Sequence, residues 1–153
     1  HFTRWVKPVI GLHLVLLVVI SVGQSQKNLR ESMGWVRDHP EVVNLISLGP
    51  EIHRFFLERK GINIQRKRLF HAEWLHWTMF EMRERTHKDI YVLSYERDRE
   101  KAQTMFVSDN WQCEVISTQT GWWADRLVYK LNAKHNVRRS PILIWQCFFS
   151  RSA

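Results

Sequence analysis

The sequence predicts an α+β chain: a single N-terminal transmembrane helix, amphipathic helices, and then a small antiparallel β-meander domain. Three observations predict it. A long uncharged apolar segment opens the chain, helix-period apolar spacing follows, and after Pro50 the apolar residues come in short β-branched or aromatic runs separated by polar turns. At 153 residues the chain holds one domain with a short appendage. With 44% apolar residues, 25% charged residues and a net charge of +8, it has enough to bury a core. Six Gly and four Pro exclude collagen-like and low-complexity architectures. Two cysteines, Cys113 and Cys147, build neither a disulfide-rich mini-protein nor a four-cysteine zinc site.

The opening segment carries the strongest expectation. Residues 8–26, between Lys7 and Lys27, carry no formal charge, and 9–22 are nearly all apolar. At the helical rise this stretch reaches roughly 28 Å, close to the hydrocarbon thickness of a bilayer. Arg4 and Lys7 at one end, Lys27 and Arg30 at the other, suit the head-group zones, with Trp5 as an interfacial anchor. His13 is the one ionisable group inside. Ser21 and Gly23 also give the run a secretory-signal character, and a buried core helix is the other alternative. Because the chain starts at His1 and keeps the run, the expectation is an anchor that follows an already removed leader, as mitochondrial import produces. Residues 1–26 are then the anchor and 27–153 an α+β domain beside the membrane.

Leu29, Met33 and Val36 recur at i, i+4 and i+7, one face of an amphipathic helix over about 24–39. Asp38-His39-Pro40-Glu41 reads as the start of a second helix carrying Val42, Val43, Leu45 and Ile46, which Gly49-Pro50 stops. Strands are expected at 55–57, 62–64, 90–95, 104–107, 113–117 and 142–149, with turns at 96–100 and 108–110. The stretch 74–82 fits helix and strand about equally, and 123–135 reads as one short helix among the strands.

Candidate chemistry is thin. His71, Glu73 and His76 lack the His-Glu-x-x-His order of a zincin and the cysteine pair of a zinc deaminase. There is no Gly-x-Ser-x-Gly elbow and no Gly-rich phosphate loop, so the expectation is no catalytic residue, no cofactor and no metal. Cys113 and Cys147 fall on two predicted strands, where a bridge and two buried thiols both stay open. Arg54, Arg59, Lys60, Arg66, Lys67 and Arg68, then Lys134, Arg138 and Arg139, form basic runs that attract phosphate. Beside a membrane, Arg66, Lys67 and Arg68 are the expected contacts for an anionic lipid such as cardiolipin. The absence of an RNP-type aromatic pattern counts against nucleic acid. Trp74, Trp77, Trp111, Trp122 and Trp123 are the expected exposed interface anchors.

His39-Pro40-Glu41-Val42-Val43 leading into Leu48-Gly49-Pro50-Glu51-Ile52, behind an apolar helix, resembles a mitochondrial family. It is the group that joins cytochrome oxidase assembly factor one with subunit twenty-one of the presequence translocase. The likeness covers residues 8–120. It lacks the family's glycine near Arg83-Glu84-Arg85, and the tail from Trp122 has no counterpart. The resemblance implies an inner-membrane anchor, a domain facing the intermembrane space, and recognition of protein surfaces without chemistry. The expected role is a non-catalytic accessory subunit of a respiratory-chain complex. The alternatives are a transient assembly or import factor and a mitochondrial ribosomal protein holding rRNA through its basic runs.

Overall fold

The computed structural model describes residues 3–23, 26–52, 61–67, 72–121, 123–131 and 139–149. Among the described residues, five helices and five strands follow in the order α1 Thr3–Gly23, α2 Lys27–Asp38, β1 Asn44–Leu48, β2 Asn63–Lys67, α3 Ala72–Thr86, β3 Ile90–Tyr95, α4 Arg99–Ser108, β4 Trp111–Gln119, α5 Trp123–Leu131 and β5 Ile142–Phe149. A short 3₁₀ turn, Glu96–Asp98, leads into α4. The α+β class holds, but the meander does not. The strands form one mixed sheet, β2-β1-β3-β5-β4, in which β1 is parallel to both β2 and β3, while β5 is antiparallel to β3 and to β4. Parallel strands need crossovers rather than hairpins, and α3 lies on the one that carries the chain from β2 past β1 to β3.

Each central strand sends alternate residues to opposite sides, and both sides are covered. Ile46, Leu48, Ile90, Val92, Leu143, Trp145 and Cys147 pack beneath Leu75, Met79 and Met82 of α3 and Ala102 and Phe106 of α4. Leu45, Tyr91, Leu93, Tyr95, Ile142 and Ile144 pack against Leu29, Met33 and Val36 of α2. Burial on both faces is why β3 and β5 read as continuous apolar runs rather than as alternation. It also explains the misreading of 42–46 as helix. Val42, Leu45 and Ile46 fit a helical stripe, yet Asn44–Leu48 is a strand buried at every position. Gly49 ends it at φ 101°, a conformation that favours glycine, with the Tyr95 ring 3.4 Å from where a β-carbon would sit. The expected strand at 104–107 is the second half of α4, and 74–82 resolves to helix α3. The expected strand at 55–57 lies outside the described residues.

The anchor expectation is overturned. Among the described residues, no helix is long and apolar enough to cross a membrane. Helix α1 begins at Thr3, so Arg4, Lys7 and Pro8 belong to it rather than flank it, and it ends at Gly23. Gln26 then takes a left-handed φ of 40° before α2 begins. The uncharged part of the helix is therefore 8–23, about 24 Å at the helical rise against a hydrocarbon core of roughly 30 Å. With the anchor goes the basis for placing the chain in the mitochondrial inner membrane beside the respiratory chain, and nothing among the described residues points there.

The cysteines are bridged. Cys113 and Cys147 stand directly opposite each other on β4 and β5, with their Cα atoms 4.1 Å apart. The bond ties the outermost strand to the core. Beyond it, a bulge at Ile116 shifts the register, so that Val115 faces Trp145 but Ser117 faces Ile144. Trp111, Cys113 and Val115 thus serve the α3/α4 side. Ser117 and Gln119 pair with Ile144 and Ile142, which belong to the α2 side. The bulge and exposed Glu114 also make this edge a poor template for a further strand.

Two buried polar side chains are matched at long range. The Trp145 indole N–H donates to Ser94 Oγ at 2.8 Å, and Asn28 Nδ2 donates to the Ser140 carbonyl at 2.8 Å, joining α2 to the segment before β5. Ser94→Ala strands the buried indole N–H, and the expected loss is about 1–3 kcal/mol, read as a lower urea midpoint at unchanged slope. Replacing both cysteines (Cys113→Ala with Cys147→Ala) opens a loop spanning 34 residues of separation. On the chain-entropy account it lowers stability by about 3–4 kcal/mol in the same urea measurement.

Candidate docking surfaces

Two groups of large apolar side chains face outward, on different parts of the domain. The first lies on α3. Leu75, Met79 and Met82 turn one face of this helix into the core, which leaves Trp74 at 66%, Trp77 at 70% and Phe80 at 39% exposure on an i, i+3, i+6 row along its outer face. Their surroundings are mixed in sign: Glu81 pairs with Arg85 one turn along, and Glu84 is exposed beside them. Beneath this helix the Trp111 indole N–H lies 3.3 Å from His76 Nδ1, and Trp111 stacks edge-on to Phe149.

The second group is built by α1 and α5, which touch each other. In α1 every residue whose side chain is described, 8–18, is exposed. Its aliphatic side chains from Val9 to Val18 remain half-exposed all round the helix, and His13 is the lone polar interruption. Helix α5 is amphipathic, but the wrong way round for a core: Trp123, Leu127 and Leu131, at i, i+4 and i+8, are 73%, 51% and 77% exposed. Arg126 and Lys130, also exposed, form the row beside that stripe. The loop before α5 is tied to α2, because the Gly121 backbone N–H donates to Glu31 at 3.0 Å.

Among the tryptophans expected as anchors, the structure leaves Trp74, Trp77 and Trp123 exposed and buries Trp111 at 3% exposure, while Trp122 lies outside the described residues. Trp111 is a correction. It opens β4 opposite Phe149 and fills the core below α3 rather than the surface. The exposed three do not form one patch, since α3 and α5 belong to different parts of the molecule. Phe80, Leu127 and Leu131 are surface residues the sequence reading missed. Their helical spacing was visible, but which stripe of a helix the fold buries depends on tertiary packing.

Arg66 and Lys67 end the edge strand β2; their side chains and all of Arg68 lie outside the described residues. The carboxyl ends of the parallel strands β1 and β3, a frequent ligand position in sheets of this kind, hold a crevice lined by Asn28, Glu51, Tyr95 and Ile142. Its volume of about 10 Å³ admits a single water. Among the described residues no three His, Cys, Asp or Glu side chains gather in a manner able to hold a metal ion. His76 is held instead by the Trp111 indole.

No match is found by comparison. Neither a family model, nor a curated protein, nor a solved structure matches the chain.

Tyr91 titrates away from its ordinary value. Tyr91, on the α2 side of β3 near the Trp35 ring, has its hydroxyl pKa raised by burial and then by the carboxylates of Glu41 and Asp89. The folded chain therefore holds this proton more tightly than the unfolded chain does. The associated stability is fully present below the ordinary tyrosine pKa of about 10 and is lost as pH rises through the folded value. Urea titrations above that pH are expected to show Tyr91→Phe losing stability less steeply than the parent chain.

Proposed function

We propose that this chain is a non-catalytic accessory subunit, a folded bracket that joins a larger protein assembly through the outer face of α3. The observation that carries this reading is the pair Trp74 and Trp77, about two-thirds exposed on a helix whose opposite face is anchored in the core. Large aromatic side chains are costly to leave in water, and they supply most of the affinity where interfaces do bury them. The helix is rigidly seated, so little conformational freedom is lost when a partner covers it. Glu81, Glu84 and Arg85 around the aromatic row provide the mixed polar rim of a protein interface. The same two carboxylates oppose the phosphates of a nucleic acid, which disfavours the ribosomal alternative. The bridge between Cys113 and Cys147 fits an assembly in an oxidising space.

The test is purification of the full chain from its source under native conditions, with and without changes on α3. The expected result is a fixed set of polypeptides at constant stoichiometry, released by Trp77→Glu. Alanine at Trp74 or Trp77 weakens the measured affinity by roughly 30-fold, the scale of an interface hot spot. Both residues are on the surface, so circular dichroism and the urea midpoint stay unchanged. A chain that migrates as a free monomer, or an assembly indifferent to both substitutions, overturns the reading.

A further inference from the structure

The α1/α5 surface is not explained by a partner on α3, because it belongs to another part of the domain and differs in chemistry. We propose that it docks the domain onto an anionic phospholipid surface from one side, without crossing it. Three observations choose this occupant. First, α5 has the layout of a helix lying at a membrane–water boundary: Trp123, Leu127 and Leu131 on one exposed stripe, with Arg126 and Lys130 in the adjacent row at head-group reach. Second, α1 beside it exposes aliphatic side chains around its whole circumference from Val9 to Val18. A helix with no polar face gains from an apolar surround on every side, which lipid chains supply and water does not. Third, the charge is complementary. The chain carries +8 overall, and Arg126 and Lys130 outweigh the single acid of α5, Asp125. Two copies meeting through this surface would oppose like charges, which counts against a dimer.

The depth follows from length. The uncharged part of α1 is too short to span, while a helix pair set into the head-group and upper acyl region needs only the 5–10 Å or so of an interfacial helix. The stripe of α5 then buries its tryptophan at the level where indole rings settle, with the arginine and lysine beside the lipid phosphates.

Vesicle flotation with the full chain tests this, using phosphatidylcholine alone and phosphatidylcholine mixed with phosphatidylglycerol. The expected result is flotation with the anionic vesicles, weakened by added salt and much poorer with phosphatidylcholine alone. Leu127→Asp with Leu131→Asp is expected to lower the partition coefficient by about tenfold or more, and Lys130→Glu to remove much of the preference for anionic lipid. Quenching of tryptophan fluorescence by brominated lipid should fall in Trp123→Phe, a change too mild to disturb folding. Failure to float with anionic vesicles overturns the proposal, as does equal binding to both vesicle types or binding indifferent to all these substitutions. So does lipid-free self-association that the aspartates abolish, which would make a second copy the occupant. Retention in the membrane through alkaline extraction would contradict one-sided docking. None of these outcomes depends on α3, so this surface and the protein interface stand or fall separately.

Discussion

The structure depends on one constraint: a five-stranded sheet whose central strands are buried on both faces. Residue by residue, β1, β3 and β5 divide their side chains between the α3/α4 layer and the α2 layer. A shift of one residue in any of them would send each side chain to the wrong core. Register is therefore fixed by two packings at once, and the polar groups within the strands have to be answered from inside. Ser94 answers the indole of Trp145, and Asn44 at the head of β1 donates to Thr86 Oγ1 at 2.6 Å, tying the strand to the end of α3. Burial of this kind leaves the central strands little exposed surface.

The edges are managed differently from the centre. Strand β4 is wet on alternate residues, and an isolated strand of that pattern would be a weak sheet member. It is held by the covalent bond to β5, by the edge-on packing of Trp111 with Phe149, and by Arg83 of α3, which lies 5.4 Å from the Phe149 ring centre. The bulge at Ile116 then lets a single strand serve both cores in succession. The turn that follows passes its backbone to Glu31 of α2, so the position of α5 is set by the same edge.

How much of this the sequence disclosed follows from the same physics. Strands β3 and β5 were legible at their exact limits because unbroken apolar runs of that length, bounded by polar turns, have few other uses. Helix α2 was legible because only one of its faces meets the core. Strand β1 was not, since a run buried on both sides carries no period and a proline with a following glutamate imitates a helix start. Helix α4 was not, since Ala102 and Phe106 are all that it buries. Strand order and direction depend on crossovers and are invisible to local patterning. Exposure was the least legible property. Trp77 and Trp111 look alike in the sequence, and only the fold makes one a surface anchor and the other a core residue.

The same limit applies to the apolar N-terminal helix. Hydropathy along a chain reports what surrounds a segment less well than where its charges fall once it is helical. Residues 8–26 give a run of membrane length only if all of them are one helix, and the helix instead stops at Gly23 and takes in Arg4 and Lys7 at its other end. What remains is an aliphatic rod shorter than a bilayer core, resting against an amphipathic helix whose own apolar stripe also faces outward. A soluble fold normally turns one such surface to answer another. Here the stripe of α5 and the flanks of α1 stay open together, and their exposed aliphatic surface is a standing free-energy cost in water. That cost falls wherever the surface is covered, and the exposed cationic row of Arg126 and Lys130 sets the sign of the charge beside it.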